Sequence, residues 1–194
     1  MARKMTWAAD GVLGMLLLVA GCGDGEREAT QAAINAAQTA MNAVEQEAAK
    51  YVPEQWQAAQ SVLQSAKDAL AKGDYQAALR AAQDAANKAK DLAAAAAAKK
   101  DQWTKEWSDM NASLPKSMDA VKAKLDAYAK SGRLPPGMDK DQMAEAKTQY
   151  EQLKQRWVDA AALAAQGKMG EAIEKATGIK EVLEKMKDLL GIKA

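Results

Sequence analysis

The spacing of apolar residues is the feature that most limits what this chain can fold into. From residue 34 to residue 190 they recur every three or four positions almost throughout. Such residues lie on one face of an α-helix, and a continuous apolar face must pack against another helix. No stretch alternates with period two, as a half-buried strand does. We therefore expect an all-α fold, an antiparallel helical bundle of coiled-coil-like hairpins.

Turn residues divide this pattern into helices. Pro53 suits the first turn of a helix, so the chain is expected to reverse just before it. Gly73 can end one helix in a left-handed conformation, and Asp74 can then cap the next. The capped helix is expected to be long, from Tyr75 to about Met110, or about 50 Å at 1.5 Å per residue. Its alanine run at 93–98 either lets two backbones approach closely or serves as a solvated spacer.

Three further boundaries follow this long helix. Ser113 with Pro115 predicts a new helix start. Two consecutive prolines within residues 131–137 exclude a helix there, so they predict a loop. Asp139 and Gln142 have the spacing of a capping box at the start of the following helix.

The N-terminal residues have the layout of a secretory signal. Arg3 and Lys4 are followed by an apolar stretch at 12–20, then by Gly21 and Cys22, the only cysteine of the chain. The apolar stretch is too short to span a bilayer, which needs about 20 apolar residues in a helix. This layout resembles a bacterial lipobox, which implies cleavage before Cys22 and acylation of that residue with diacylglycerol and a further chain such as palmitate. The alternative is ordinary cleavage near Gly21, which leaves a free thiol.

A lipidated Cys22 predicts a place for the protein in the cell envelope. Gly23 follows it, whereas Asp at that position resembles the signal that retains lipoproteins in an inner membrane. We therefore expect an outer-membrane anchor facing the periplasm. The expected organisation is a signal peptide at 1–21, a lipidated tether at 22–28, an N-terminal helical hairpin region at 29–131, a Pro/Gly loop at 132–138 and a C-terminal helical hairpin at 139–194.

Charge and residue types exclude several classes of function. Without residues 1–21, which hold two basic residues and one acidic residue, 25 basic and 25 acidic side chains remain. A nucleic-acid partner is not expected, because phosphate binding needs clustered positive charge. Histidine is absent, which excludes Ser-His-Asp triads, Cys-His pairs, His-based zinc sites and proton transfer by imidazole. The chain is therefore expected not to be an enzyme, with no catalytic, cofactor or metal residues.

Two segments of the chain resemble each other. Residues 70–82 (LAKGDYQAALRAA) reappear in degraded form at 164–176 (AAQGKMGEAIEKA), with Gly73 matching Gly167. In both segments a helix ends at glycine, and a large apolar residue begins the next. This echo predicts two helical hairpins, which we expect to pack together because neither can bury its apolar face alone.

The segment from Gly73 to Leu79 (GDYQAAL) is similar to the turn and second helix of a tetratricopeptide repeat. Such a repeat ends its second helix with proline, whereas this chain continues through Lys90. The resemblance therefore implies single hairpins of this type and not a stacked solenoid. The block from Tyr51 through Asp74 to the following Ala-x-x-Ala series resembles a family of alanine-rich lipoproteins of the bacterial envelope. That resemblance implies a helical fold and an envelope location, and it carries no activity.

Tryptophans are the most prominent candidate contact residues. Trp56 and Trp157 lie on the apolar seams and are expected in the core, since an indole buries a large area. Trp103 and Trp107 lie one helical turn apart among charged residues. They either pack beneath a neighbouring helix or contact a partner protein. An exposed tryptophan is a typical hot spot of a protein–protein interface.

These observations predict a lipid-anchored, non-enzymatic helical protein that acts through protein–protein contacts, as an envelope scaffold or assembly factor. Its expected partners are the membrane, through the lipid on Cys22, and another envelope protein. The alternative is a helical bundle that holds an apolar small molecule or lipid between its Met- and Trp-bearing seams.

Overall fold

The computed structural model describes residues 24–192, which form five α-helices and, within that range, no strand. The predicted all-α fold is therefore confirmed. The helices are α1 (Asp24–Tyr51), α2 (Pro53–Ala71), α3 (Tyr75–Ser131), α4 (Lys140–Ala165) and α5 (Met169–Leu190). They form two compact units, whose described parts are residues 24–94 (unit 1) and 95–192 (unit 2).

Unit 1 consists of α1, α2 and the first part of α3. The reversal between α1 and α2 needs only Val52, because Pro53 occupies the first turn of α2 as predicted. Its core is rich in alanine, so the helices approach closely around a few large side chains, Trp56 among them. The buried core residues are Ile34, Ala37, Met41, Ala48, Trp56, Ala59, Leu63, Ala66, Ala78, Ala82, Ala85, Ala89 and Leu92.

Unit 2 consists of the rest of α3 with α4 and α5. Asp139 caps α4 through the predicted capping box: its carboxylate accepts from the Gln142 backbone N–H, and the Gln142 side chain accepts from the Asp139 N–H. The core contains larger side chains than that of unit 1. They are Leu114, Met118, Val121, Leu125, Met143, Ala146, Tyr150, Leu153, Ala176, Ile179, Leu183, Met186 and Leu190.

The internal echo corresponds to two turns with the same backbone geometry. Gly73 and Gly167 adopt φ values of 77° and 75°. The next residue in each turn donates its N–H five residues back, from Asp74 to Ala69 and from Lys168 to Leu163. The echo therefore does mark two helical hairpins, α2–α3 and α4–α5. Each hairpin buries its apolar face in the core of its own unit, where a third helix completes the packing.

The predicted break at Pro115 is absent, because α3 continues through it. Proline removes one backbone hydrogen bond inside a helix. The Ser113 hydroxyl donates to the Asp109 carbonyl at 2.8 Å, so it does not cap a new helix. Leu114 and Met118 are buried in the unit 2 core on either side of Pro115, and this burial holds the helix together. The alanine run at 93–98 lies within α3, with Ala96 buried and most of its neighbours exposed.

The structure also differs from the expected tether and domain limits. Helix α1 begins at Asp24, so residues 24–28 of the expected tether at 22–28 belong to a helix. Acidic residues in the first turn favour this early start, because they complement the positive end of the helix dipole. The N-terminal region at 29–131 is not one body, since the division between units falls inside α3, between residues 94 and 95. The expected signal peptide, Cys22 and Gly23 lie outside the described residues.

Candidate functional site

Trp103, one of the two predicted contact residues, packs against the start of α5. A Cβ atom added to Gly170 would lie 2.9 Å from Cη2 of the Trp103 indole, closer than real side chains approach. The glycine therefore makes room for the ring. Lys99 Nζ lies 5.6 Å from the ring centroid on the same turn of α3. The side chain of Trp103 is half-buried, so it contributes to packing within unit 2 and still reaches solvent.

Trp107, the second predicted contact residue, stacks on Trp157 of α4. The ring centroids lie 5.4 Å apart and the planes differ by 16°, which is an offset-stacked aromatic pair. Both rings are half-buried against the unit 2 core. Trp56 is buried in the unit 1 core as predicted. Trp157, also expected in the core, is half-buried and packs against the unit 2 core.

A surface that the sequence did not single out lies between α4 and α5. Two adjoining depressions of about 240 and 450 Å³ share Gln149 and Leu189 among their lining residues. We call them together the α4–α5 groove. Its apolar surface comes from Met138, Ala146, Leu153, Val182, Met186 and Leu189, and its polar rim from Gln142, Glu145, Gln149, Gln152, Arg156 and Lys185. The groove thus pairs an apolar floor with a rim of amides and mixed charges.

Leu189 is the most unusual residue of this groove, because its side chain is 60% exposed. Its neighbour Leu190 is 1% exposed and belongs to the unit 2 core. The sequence pattern does not single out Leu189, because Leu190 occupies the helical seam and a lone leucine beside a seam is not distinctive. Val158 on α4 is exposed to the same degree, 59%, but does not line the groove.

A second groove, of about 650 Å³, lies in unit 1. Helix α1 contributes Arg27, Gln31, Ile34, Asn35 and Gln38, and the α2–α3 hairpin contributes Lys67, Leu70, Ala71, Gly73 and Tyr75. We call this the basic groove, since its two charged lining residues are the cations Arg27 and Lys67. Lys67 Nζ donates to Gln38 Oε1 at 2.6 Å, which links α2 to α1.

Within the described residues, each resolved shift moves the pKa of a side chain further from pH 7. Desolvation by burial raises the pKa of the Tyr150 phenol. A hydrogen bond from Lys122 lowers the pKa of Asp126, and the same bond raises the pKa of Lys122. A hydrogen bond to Glu151 raises the pKa of Lys154. Each of these groups therefore keeps its ordinary charge near pH 7, whereas proton transfer needs a pKa near the working pH.

Residues 24–192 contain no group of three or more His, Cys, Asp or Glu side chains placed to hold a metal ion. None of the helices in this range combines the length and apolar character needed to cross a membrane.

No family model matches this chain, and neither a curated protein nor a solved structure shows significant similarity to it.

Proposed function

We propose that this protein is a lipid-anchored, periplasm-facing, non-enzymatic helical protein that acts through contacts with another envelope protein, as a scaffold or assembly factor. The anchor is the lipid on Cys22 at the end of a signal-like sequence. The main support for the contact function is the exposure of Leu189, a large apolar side chain that is 60% exposed and lines both parts of the α4–α5 groove. Exposed apolar surface with a polar rim is typical of protein interaction sites.

The proposed occupant of the α4–α5 groove is an amphipathic helix of the partner. The lining residues on α4 run from Gln142 to Arg156, four helical turns or about 21 Å. A groove between two paired helices accepts the apolar side chains that a third helix places at intervals of three and four residues. Glu145 at one end of the rim and Arg156 and Lys185 at the other favour a partner helix with a cation at one end and carboxylates at the other.

Trp103 and Trp107 contribute indirectly in this proposal. Trp107 stacks on Trp157, so it stabilises α4 against α3 within unit 2. Trp103 supports the start of α5 through its contact with Gly170. Both residues therefore support the helices that form the groove.

Site-specific photocrosslinking in intact cells tests the contact function. A photoreactive amino acid at position 189 of the full chain is expected to give one or a few discrete crosslinked products, identified by mass spectrometry. The matched control is position 158, where the side chain is equally exposed but lies off the groove. Equal crosslinking from the two positions, or none from position 189, would contradict the proposed docking surface.

Lipid anchoring is tested separately at Cys22. We expect mature protein in the membrane fraction, with a mass that includes the acyl chains. Cys22→Ala is expected to abolish acylation and to leave residues 24–192 folded, because the buried residues named for the two cores lie between positions 34 and 190. A Cys22→Ala protein that is still acylated and bound to the membrane would refute the anchor.

The alternative function, binding of an apolar molecule, has its own measurement. Native mass spectrometry of the full chain released from mild detergent would show a retained ligand as a discrete added mass. The contact function predicts no added mass from an apolar molecule other than a phospholipid of the membrane.

A further inference from the structure

We propose that the basic groove of unit 1 binds the headgroup of an anionic phospholipid and so holds the N-terminal end of unit 1 against the membrane surface. The proposal rests on the lipid anchor of the proposed function. It adds a second, non-covalent membrane contact whose recognition chemistry is a phosphate group.

The charge of the groove favours an anion. Its lining includes a guanidinium from Arg27 and an ammonium from Lys67, and no carboxylate. Neither cation forms an ion pair with another residue between positions 24 and 192, so both can contact a ligand. Arginine and lysine are the usual protein ligands of phosphate, because their hydrogen bonds to it are charge-assisted.

Four carboxylates lie next to groove residues in the sequence: Glu26 and Glu28 flank Arg27, Asp68 follows Lys67, and Asp74 follows Gly73. Asp68, next to Lys67, accepts a hydrogen bond from Gln64 on its own helix. Asp74, next to Gly73, accepts from the Ala77 backbone N–H and caps α3. None of these four carboxylates lines the groove, and within residues 24–192 none forms an ion pair with Arg27 or Lys67.

Carboxamides supply further hydrogen-bond donors on the α1 wall. Gln31 Nε2 donates to Asn35 Oδ1 at 3.1 Å, and this bond does not use the two side-chain N–H groups of Asn35. Lys67 uses one of its three donors on Gln38, and two remain. The polar wall can therefore offer a phosphate several N–H donors in addition to the two positive charges.

The size and floor of the groove suit a lipid headgroup. Its volume of about 650 Å³ lies within the usual range for small-molecule sites, about 300–1,000 Å³. Ile34 and Leu70 supply apolar surface beside the charged residues. A phospholipid presents the same combination, since its charged phosphate lies next to an apolar glycerol backbone and acyl chains.

The position of the groove in the sequence favours a membrane lipid over a soluble anion. Arg27 follows Cys22 by five residues, so the chain between their Cα atoms can span at most about 18 Å. An acylated Cys22 thus holds the groove within reach of lipid headgroups. At that distance from an anionic membrane surface, each basic residue adds about 1 kcal/mol, or a factor of about five in affinity.

Nuclear magnetic resonance of the full chain in neutral detergent micelles tests this proposal. The probes are short-chain phosphatidylglycerol, short-chain phosphatidylcholine and inorganic phosphate, each titrated separately. We expect saturable shifts of the Arg27 Nε–H and of the Gln31 and Asn35 side-chain amides with phosphatidylglycerol. We expect weaker binding of phosphatidylcholine and of phosphate, because the first carries no net charge and the second lacks the apolar part.

Two charge-matched double variants locate the site. Arg27→Gln with Lys67→Gln is expected to weaken phosphatidylglycerol binding roughly 10- to 30-fold. Arg80→Gln with Lys90→Gln removes the same two residue types from exposed positions of unit 1 outside the groove, and it is expected to change affinity less than about twofold. Circular dichroism of both variants verifies that they fold, which is expected because all four side chains are exposed.

Several results would overturn the proposal. Equal affinity of the two double variants would show that the groove is not the site. Phosphate binding as tightly as phosphatidylglycerol would make a free anion the ligand, and equal binding of phosphatidylcholine would remove the selection by charge. The mass of Cys22 in the same sample reports on the anchor independently. Acylated Cys22 without lipid binding refutes only the groove, and binding with an unmodified Cys22 refutes only the anchor.

Discussion

The contact between Gly170 and Trp103 allows a prediction in which the sign of the effect is decisive. Replacing a helical glycine with alanine ordinarily stabilises a protein by about 0.4–1 kcal/mol, because the unfolded chain loses conformational freedom. At Gly170 the new Cβ would lie 2.9–3.3 Å from three atoms of the Trp103 ring. Such overpacking costs about 1–3 kcal/mol. Gly170→Ala is therefore expected to destabilise unit 2 by about 1 kcal/mol, taking the overpacking cost as the larger effect.

Two further variants separate the steric cost from helix propensity. Gly178 lies in the same helix, and the nearest atom to an added Cβ is Arg156 Nη2 at 3.0 Å, the end of a flexible side chain. Gly178→Ala is therefore expected to stabilise by up to about 1 kcal/mol. In a Trp103→Ala background the ring is gone, so Gly170→Ala should also become stabilising. The coupling between positions 103 and 170 is then about 1–3 kcal/mol.

Urea unfolding of the full chain, followed by far-ultraviolet circular dichroism, measures all four variants of this cycle and the Gly178→Ala control. If Gly170→Ala stabilises as much as Gly178→Ala while Trp103 is present, the ring does not occupy the space beside Gly170. The same conclusion follows if Gly170→Ala has equal effects with and without the indole.

Three other outcomes are expected. Leu183→Ala should lower the free energy of unfolding by about 2–5 kcal/mol, because this leucine is fully buried in the unit 2 core. Leu189→Ala should change it by less than about 1 kcal/mol and weaken only the partner contact. Comparable losses of stability in urea unfolding would contradict the placement of the two leucines. Asp139→Ala should destabilise the start of α4 by about 1 kcal/mol, measured as faster amide hydrogen exchange there than in the unsubstituted protein. The start of α5, where no side chain caps the helix, is the internal reference and should keep its exchange rates. Lys122→Met should return the lowered pKa of Asp126 towards its ordinary value, because the lysine hydrogen bond is the main cause of the shift, and an unchanged titration by nuclear magnetic resonance would exclude that cause. The sign follows from the lowered pKa: the Lys122–Asp126 pair supports the folded state above the unfolded pKa of the carboxyl group, and that support is lost as the pH falls through the lower, folded value.

Local signals in the sequence correctly predicted the helix boundaries that depend on nearby residues. Gly73 ends α2 with a positive φ and Asp74 caps α3, because both effects need only a few consecutive residues. The capping box of Asp139 and Gln142 is equally local. The echo around Gly73 and Gly167 predicted two turns with matching hydrogen bonds, since the same short backbone conformation satisfies the ends of both helices.

Pro115 shows where such local reasoning fails. A proline after serine is a valid start signal, and only the surroundings decide whether a helix begins there or passes through. Here Leu114 and Met118 are buried in the unit 2 core, which offsets the missing hydrogen bond. The division of the chain within α3 was missed for a related reason, because no turn residue marks residues 94 and 95 and only the membership of two separate cores reveals it.

The spacing of residues in the sequence could not have predicted the two grooves. Spacing places Leu190 on the buried seam and Leu189 beside it, but whether another part of the fold covers Leu189 depends on tertiary packing. Arg27 and Lys67 are 40 positions apart, and they line one groove only because α1 and α2 pair.

The amino-acid order alone determined that this chain is helical, where most of its helices end, and that Cys22 follows a signal-like segment. These properties depend on contacts between residues a few positions apart, which the sequence displays directly. The three-dimensional structure decided that α3 is continuous, that two cores form, that Trp107 stacks on Trp157, and that Leu189 remains exposed. Those outcomes depend on which faces of distant helices meet, and a repeating alanine-rich seam is compatible with many such pairings until the larger side chains select one.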